Sequence, residues 1–346
     1  MSYHFDDAAA DRAVEFIERF CTHVKGELGG KPFLLEAWQK DDIIRPLFGW
    51  KKDDGTRRYR TCYVEIPRKN GKSNLSAAIA LYMLFADGEP GAEVISAAGD
   101  RGQANIVFNI AQEMINNSRH LRSRAKVLRN TVNYKSSFYR SISAEAYTKH
   151  GLNCHAVIMD ELHTQPNDEL TRVLQTSMGA RRQPLFIALT TAGHDRSSIC
   201  YEFHEYAKKV RDGIIEDDTF LPVLYAADID DDWTDEATWR KANPGYGTIC
   251  RKDYFEQAVK NAKANPSMVN SFLRLHLNIW TSAETAWIPD DIWMKGNKPI
   301  PHDRLHTLPC YGGLDLASTQ DLTAFALLFA DVEHDCFYLL VHQFVN

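Results

Sequence analysis

The chain has 346 residues, enough for one large or two ordinary domains, and 44% of them are apolar, which supplies a globular core and argues against overall disorder. With 46 acidic against 40 basic side chains, the net charge of −6 argues against a uniformly basic nucleic-acid coat but leaves a local groove open. Seven cysteines without a Cys-x-x-Cys pair suggest neither a disulfide framework nor structural zinc. The lack of a bilayer-length apolar run or an amino-terminal signal pattern points to a soluble intracellular protein with no membrane partner.

Taken in chain order, residues 7–24 carry helical spacing at Ala13, Val14, Phe16, Ile17 and Phe20, with Asp6 or Asp7 as cap. A second helix is expected over residues 35–48. Gln39 lies in it, and its amide can both donate to and accept from an adenine edge; an exposed helical glutamine is the plainer alternative. Basic clusters at Lys51-Lys52, Arg57-Arg58, Arg119 to Lys126 and Arg181-Arg182 read as solvated faces before they read as DNA contacts.

Residues 59–66 alternate as a strand, and residues 74–84 are rich in strong helix formers. Between them, Arg68-Lys69-Asn70-Gly71-Lys72-Ser73 reads as a phosphate-binding loop. Asn70, Gly71 and Lys72 would present N–H groups and an ammonium to the polyphosphate of ATP, with the Ser73 hydroxyl on Mg²⁺. The full pattern wants a glycine where Ile66 stands, and for Gly71-Lys72-Ser73 alone a basic turn capping a helix remains the alternative.

A further strand is expected over residues 93–98, followed by a helix over 102–115, with Asp100-Arg101 at the junction as a candidate nucleotide or DNA contact. Residues 137–142 form a short alternating strand. Then Ala156-Val157-Ile158-Met159-Asp160-Glu161 is an apolar strand ending in two carboxylates. In phosphate-loop ATPases a strand beside the loop strand delivers the acid that holds Mg²⁺, here Asp160, and the next residue, Glu161, can polarise the attacking water. A third apolar strand ends in Thr190-Thr191-Ala192-Gly193, where a γ-phosphate sensor would sit at the carboxyl ends of parallel strands. Alternating strands and helices predict an α/β fold with a doubly wound, mostly parallel sheet.

From about Gly213 the chain turns acidic and Trp-rich, and helices over 252–264 and 266–277 predict a helical subdomain closing over the site, not an extension of the sheet. Pro299-Ile300-Pro301-His302 reads as the linker. Beyond it come three strand-like segments. Asp315 stands in the first, as the first metal ligand of a ribonuclease H-like nuclease would, and Asp321 is a weaker second; a β-meander with incidental acids is the alternative. These boundaries give an ATPase core over 1–212, a lid or linker subdomain over 213–298 and the start of a nuclease domain over 303–346.

On these residues the sequence resembles the large terminase subunit of tailed bacteriophages. Arg68-Lys69-Asn70-Gly71-Lys72-Ser73 is similar to the family's loop variant lacking the first glycine. Asp160-Glu161 and Thr190-Thr191-Ala192-Gly193 resemble its acidic and coupling motifs. The more specific matches are Trp239 to Pro244, Asn278-Ile279-Trp280 and Gly313-Leu314-Asp315-Leu316-Ala317. The resemblance implies a P-loop additional-strand, RecA-like ATPase with a helical lid, joined to a nuclease using Mg²⁺ or Mn²⁺. It also implies work on double-stranded DNA, in a ring on the procapsid portal protein in the host cytoplasm, with a small terminase subunit. It calls for an arginine at the transferring phosphate, with Arg68 the first candidate and Arg101 the second. Because the chain reaches only the third nuclease strand, an intact motor with an incomplete nuclease is expected. Asp160-Glu161-Leu162-His163 also fits a DExH helicase box, but no second set of apolar strands with a glycine-arginine pair follows residue 219. A non-hydrolysing assembly protein is the remaining rival.

Overall fold

The computed structural model describes residues 2–143, 151–281, 290–316 and 322–345, and the chain divides into two compact units, Met1–Trp287 and Ile288–Asn346. In the first unit, Tyr3–Phe5 (β1) pairs antiparallel with Trp50–Lys52 (β2). Asp6 caps the helix Asp7–Phe20 (α1) by accepting the Ala9 N–H at 2.9 Å. The expected second helix is π-helical over Gln39–Ile44 and continues as Arg45–Gly49 (α2).

An eight-stranded sheet forms the centre. Its members are Thr61–Glu65 (β3), Glu93–Ala98 (β4), Lys126–Val127 (β5), Val132–Tyr134 (β6), Ser137–Ser143 (β7), Ala156–Asp160 (β8), Leu185–Thr190 (β9) and Phe220–Leu224 (β10). They run in the order β10-β3-β9-β8-β4-β7-β6-β5, parallel from β10 to β7 and antiparallel over the last two pairings. Helices Lys72–Phe85 (α3), Arg101–Asn117 (α4), Arg119–Arg122 (α5), Glu169–Thr176 (α6) and Ile199–Arg211 (α7) connect the strands. The two-residue period of the strands sorts their side chains. Cys62, Val64 and Ile158 join one apolar layer with α3 and α4, while Tyr63, Val157 and Met159 join the other with α6 and α7. Helix α3 is buried from Leu75 to Leu84 on every face, as a helix between sheet and neighbours must be.

Three expectations need correction. The acid-bearing strand β8 does not lie beside the loop strand β3, because β9 stands between them. The sheet also extends past Gly213: Phe220-Leu221-Pro222-Val223-Leu224 pairs parallel with β3. The proline that obscures it in the sequence is tolerated because β10 is the edge strand. Arg57 is not on a solvated face; its side chain is fully buried, bonded to Asp87 at 2.8 Å and to the Gln183 carbonyl.

After β10, helices Glu236–Ala242 (α8), Lys252–Ala264 (α9) and Val269–Leu277 (α10) enclose their own core of Trp239, Phe255, Phe272 and Leu277. The second unit carries an antiparallel meander of Cys310–Asp315 (β11), Leu322–Asp331 (β12) and Cys336–Val345 (β13). No helix among the described residues is long and apolar enough to cross a membrane.

Candidate nucleotide-binding site

The site is built at the carboxyl ends of β3, β9 and β8. Ile66 still follows the strand ladder, its N–H donating to the Thr190 carbonyl at 3.0 Å. A glycine is therefore not needed at that position. The loop turns one step later, where Lys69 (φ 71°) and Gly71 (φ 82°) are both left-handed. Such a turn gathers successive N–H groups at the start of α3, an arrangement suited to anions. Ser73 lies half-buried in the first turn of α3, and Arg68 is exposed on the loop.

Lys72 is buried, and its ammonium donates to the carbonyls of Ile66 and Pro67 at 3.1 and 3.2 Å and to the Thr191 hydroxyl at 2.7 Å. Burial pulls its pKa below the ordinary lysine value, against the opposing charges of Glu161 and Asp160. Asp160 is 2% exposed, and its Oδ1 has no hydrogen-bond partner. Burial first and the Glu161 charge second push its pKa up to about 7, with Lys72 pulling the other way. A buried carboxylate oxygen without a donor is costly in isolation and suits a cation ligand. The loop and acid residues thus fit a Mg²⁺-bearing polyphosphate.

Glu161 adopts a left-handed conformation (φ 49°, ψ 53°), a strain that non-glycine residues keep mostly at functional sites. Its Oε2 lies 3.3 Å from His163 Nδ1. Burial drives His163 down to about 4, so its imidazole is neutral at pH 7. The two threonines diverge. Thr191 faces the loop, bonding Lys72 and donating to the Ile66 carbonyl at 3.2 Å, whereas Thr190 accepts the His163 N–H at 3.1 Å behind it.

Gln39 is wholly buried, against the exposed alternative. Its Oε1 accepts the Glu36 N–H at 3.1 Å, and its Nε2 is left without a partner. A side chain at Gly71 would come within 3.6 Å of that Nε2, so Gln39 adjoins the loop. The π-helical widening holds it there, as such bulges do at functional sites.

The helical subdomain also reaches the loop. Asn70 donates to Asn243 Oδ1 at 2.8 Å and accepts the Gly245 N–H at 3.2 Å, and Cys250 Sγ donates to the Lys69 carbonyl at 3.2 Å. Asn243 and Gly245 fall in or beside the Trp-rich segment singled out in the sequence. His163 is marked in the sequence only as the last residue of the DExH-like box, and Cys250 carries no pattern. Arg101 lines a separate cavity with Asn105, Asn130 and Ser141. In the other unit Asp315 is exposed at the end of β11, opposite Ala324, and Asp321 lies outside the described residues.

The family model for the terminase large subunit ATPase domain matches residues 37–209, and that for the terminase large subunit endonuclease domain matches residues 214–346. The large terminase subunit of Enterobacteria phage HK97 is 32% identical over 329 residues, covering 92% of this chain and 62% of that protein. The protein YmfN of Escherichia coli (strain K12) is 33% identical over 180 residues, 52% of this chain and 40% of its own length. A crystal structure of the HK97 large terminase superposes with a TM-score of 0.70 at 28% identity, over 96% of this chain and 67% of that one. The chain therefore spans less than two thirds of the length of the curated HK97 relative. With an ATPase and an endonuclease match in succession on a P-loop α/β fold, the chain belongs to the terminase large subunit family.

Proposed function

We propose that this chain carries the ATP-hydrolysing engine that drives double-stranded DNA into a phage procapsid. The observation that carries the reading is the convergence of Lys72, the unpartnered Asp160 oxygen and the strained Glu161 at the carboxyl ends of parallel strands. Lys72 and the amides of Asn70 and Gly71 hold the phosphates, and Ser73 and Asp160 hold Mg²⁺, which when bound neutralises phosphate charge. Glu161 orients the attacking water and takes its proton, with neutral His163 beside it. The free Gln39 amide reads the adenine edge. Thr191, and behind it Thr190, respond to the state of the phosphates. Arg68 is assigned to the transferring phosphate because its exposed side chain lies on the loop and its charge acts on Lys72 and His163. Such a site gains most of its rate from electrostatic positioning.

Family membership supports the rest of the reading: a ring on the portal protein in the host cytoplasm, a small terminase subunit as helper, and α8–α10 as a lid. Asp315 is assigned to a divalent metal of the nuclease that cuts concatemers. The test is Glu161→Gln beside Lys72→Ala. Glu161→Gln should keep ATP affinity while turnover falls about 10²- to 10⁴-fold, the usual worth of a general base. Lys72→Ala should lose nucleotide binding itself. Normal hydrolysis by Glu161→Gln would remove Glu161 from its role.

A further inference from the structure

Asn278-Ile279-Trp280 follows α10, and the reaction as described does not use it. Asn278 ends the helix in a left-handed conformation (φ 60°, ψ 30°) and is buried. Its amide is fully engaged. Oδ1 accepts the Ala192 N–H at 2.7 Å, and Nδ2 donates to the Tyr225 carbonyl at 2.8 Å and to Glu65 Oε1 at 3.4 Å. Ala192 directly follows Thr191, whose hydroxyl takes a hydrogen bond from Lys72. Two residues on, Trp280 packs against Gly193 so closely that a Cβ there would meet its ring at 2.9 Å.

The joint is anchored by Glu65, the last residue of the loop strand and 1% exposed. Its carboxylate accepts from Tyr63 at 2.6 Å, lies 3.0 Å from His204 Nδ1, and accepts the Trp280 indole N–H at 3.3 Å and the Asn278 amide. A buried charge so surrounded holds its donors in place, because losing any of them leaves charge without compensation. The last turn of α10 also touches the loop. The Leu275 carbonyl accepts the Arg68 N–H at 2.9 Å, and the His276 carbonyl accepts from Asn243, which in turn holds Asn70.

We propose that Asn278 is a positioning residue that ties the Thr190–Gly193 turn to helix α10, so that a change at Lys72 is passed through Thr191 and Ala192 to the helical subdomain. Lys72 has three N–H donors, and three protein oxygens already take them. A phosphate oxygen can engage the ammonium only if one of those bonds is given up. Thr191 is the acceptor whose release reaches Ala192 and thus Asn278. Glu65 is the fixed point against which the turn and the helix move. This inference rests on the ATPase reading and adds the residue that carries the signal out of the site.

The test is amide hydrogen exchange over residues 269–280, with and without ATPγS and Mg²⁺, in the wild-type chain and in Asn278→Gly. Glycine is at ease at φ 60°, so the variant removes the amide without straining the turn. The wild type should change its exchange over this segment on binding nucleotide. Asn278→Gly should bind ATPγS within about threefold of wild type yet lose that change, with kcat per ATPγS-binding site down about tenfold and KM little altered; partial unfolding would remove binding sites and turnover together and leave kcat per site unchanged. Nucleotide binding without any response of residues 269–280 in the wild type, or an undiminished response in the variant, would overturn the inference and leave the ATPase reading standing. Failure of the wild type to bind ATPγS would overturn both. Should Asn278→Gly not fold, Trp280→Phe, which leaves an aromatic ring but loses the indole N–H to Glu65 and part of the contact with Gly193, should weaken the same response; an unchanged response there would overturn the inference.

Discussion

At Asp160 the fold works against the charge that its proposed role as a metal ligand needs. Its pKa, pushed up to about 7 from an ordinary 3.8, means the folded chain holds the proton more tightly than the unfolded chain. The stability penalty is absent below pH 4, grows as pH rises towards 7, and is complete above that. Asp160→Asn should therefore raise the melting temperature of the nucleotide-free chain at pH 8 by roughly 2–4 °C, with the gain fading towards pH 4. Mg²⁺ and ATP should reverse the ranking, because only the wild type gains a metal ligand. A scanning fluorimetry series over pH checks both signs, and a variant less stable than wild type at pH 8 would contradict them.

The residues that carry charge to the site were legible one by one. Gly71-Lys72-Ser73 and Asp160-Glu161 each come at or just beyond the carboxyl end of an apolar strand, and the chain brings polar groups to that end of a parallel sheet for few other reasons. Glu65 was not legible, and His163 was legible only as part of a helicase-like box and not as a neighbour of the Glu161 carboxylate. A single acid in an alternating strand looks solvated until the helices covering it are known, and His163 acts through a left-handed turn at Glu161 that periodicity does not reveal.

At the scale of elements, the π-helical segment shows what pattern reading loses. Apolar spacing gives a helix over residues 35–48, but it does not show the π-helical turn over Gln39–Ile44, nor that Trp38 just before it packs edge-on against Tyr225. If the free Gln39 amide reads adenine, Gln39→Ala should weaken ATP binding about tenfold, the worth of one well-made hydrogen bond, and leave inorganic triphosphate unaffected. Calorimetric titration with both ligands decides it, since equal losses for the two would make Gln39 a structural support of the loop. Strand β10 was hidden for a similar reason. Five residues containing Pro222 carry little strand signal alone, and only the open edge beside β3 makes them one. Strand order is equally invisible locally, because the insertion of β9 between β3 and β8 depends on crossovers and not on any single segment.

At the scale of the whole molecule, two compact units follow one another, the first holding the candidate nucleotide site with its helical subdomain and the second the β11–β13 meander with Asp315. The sequence reads Pro299-Ile300-Pro301-His302 as a linker, and the two compact units are Met1–Trp287 and Ile288–Asn346. The succession of ATPase and endonuclease matches agrees with that order of parts. The most direct measurement of the central claim is steady-state phosphate release from ATP and Mg²⁺ by the full chain, with and without linear double-stranded DNA, beside Lys72→Ala. The expected result is turnover that rises with DNA and is lost in the variant; a chain that binds ATP and Mg²⁺ but releases no phosphate above the Lys72→Ala background, with DNA or without, would contradict it.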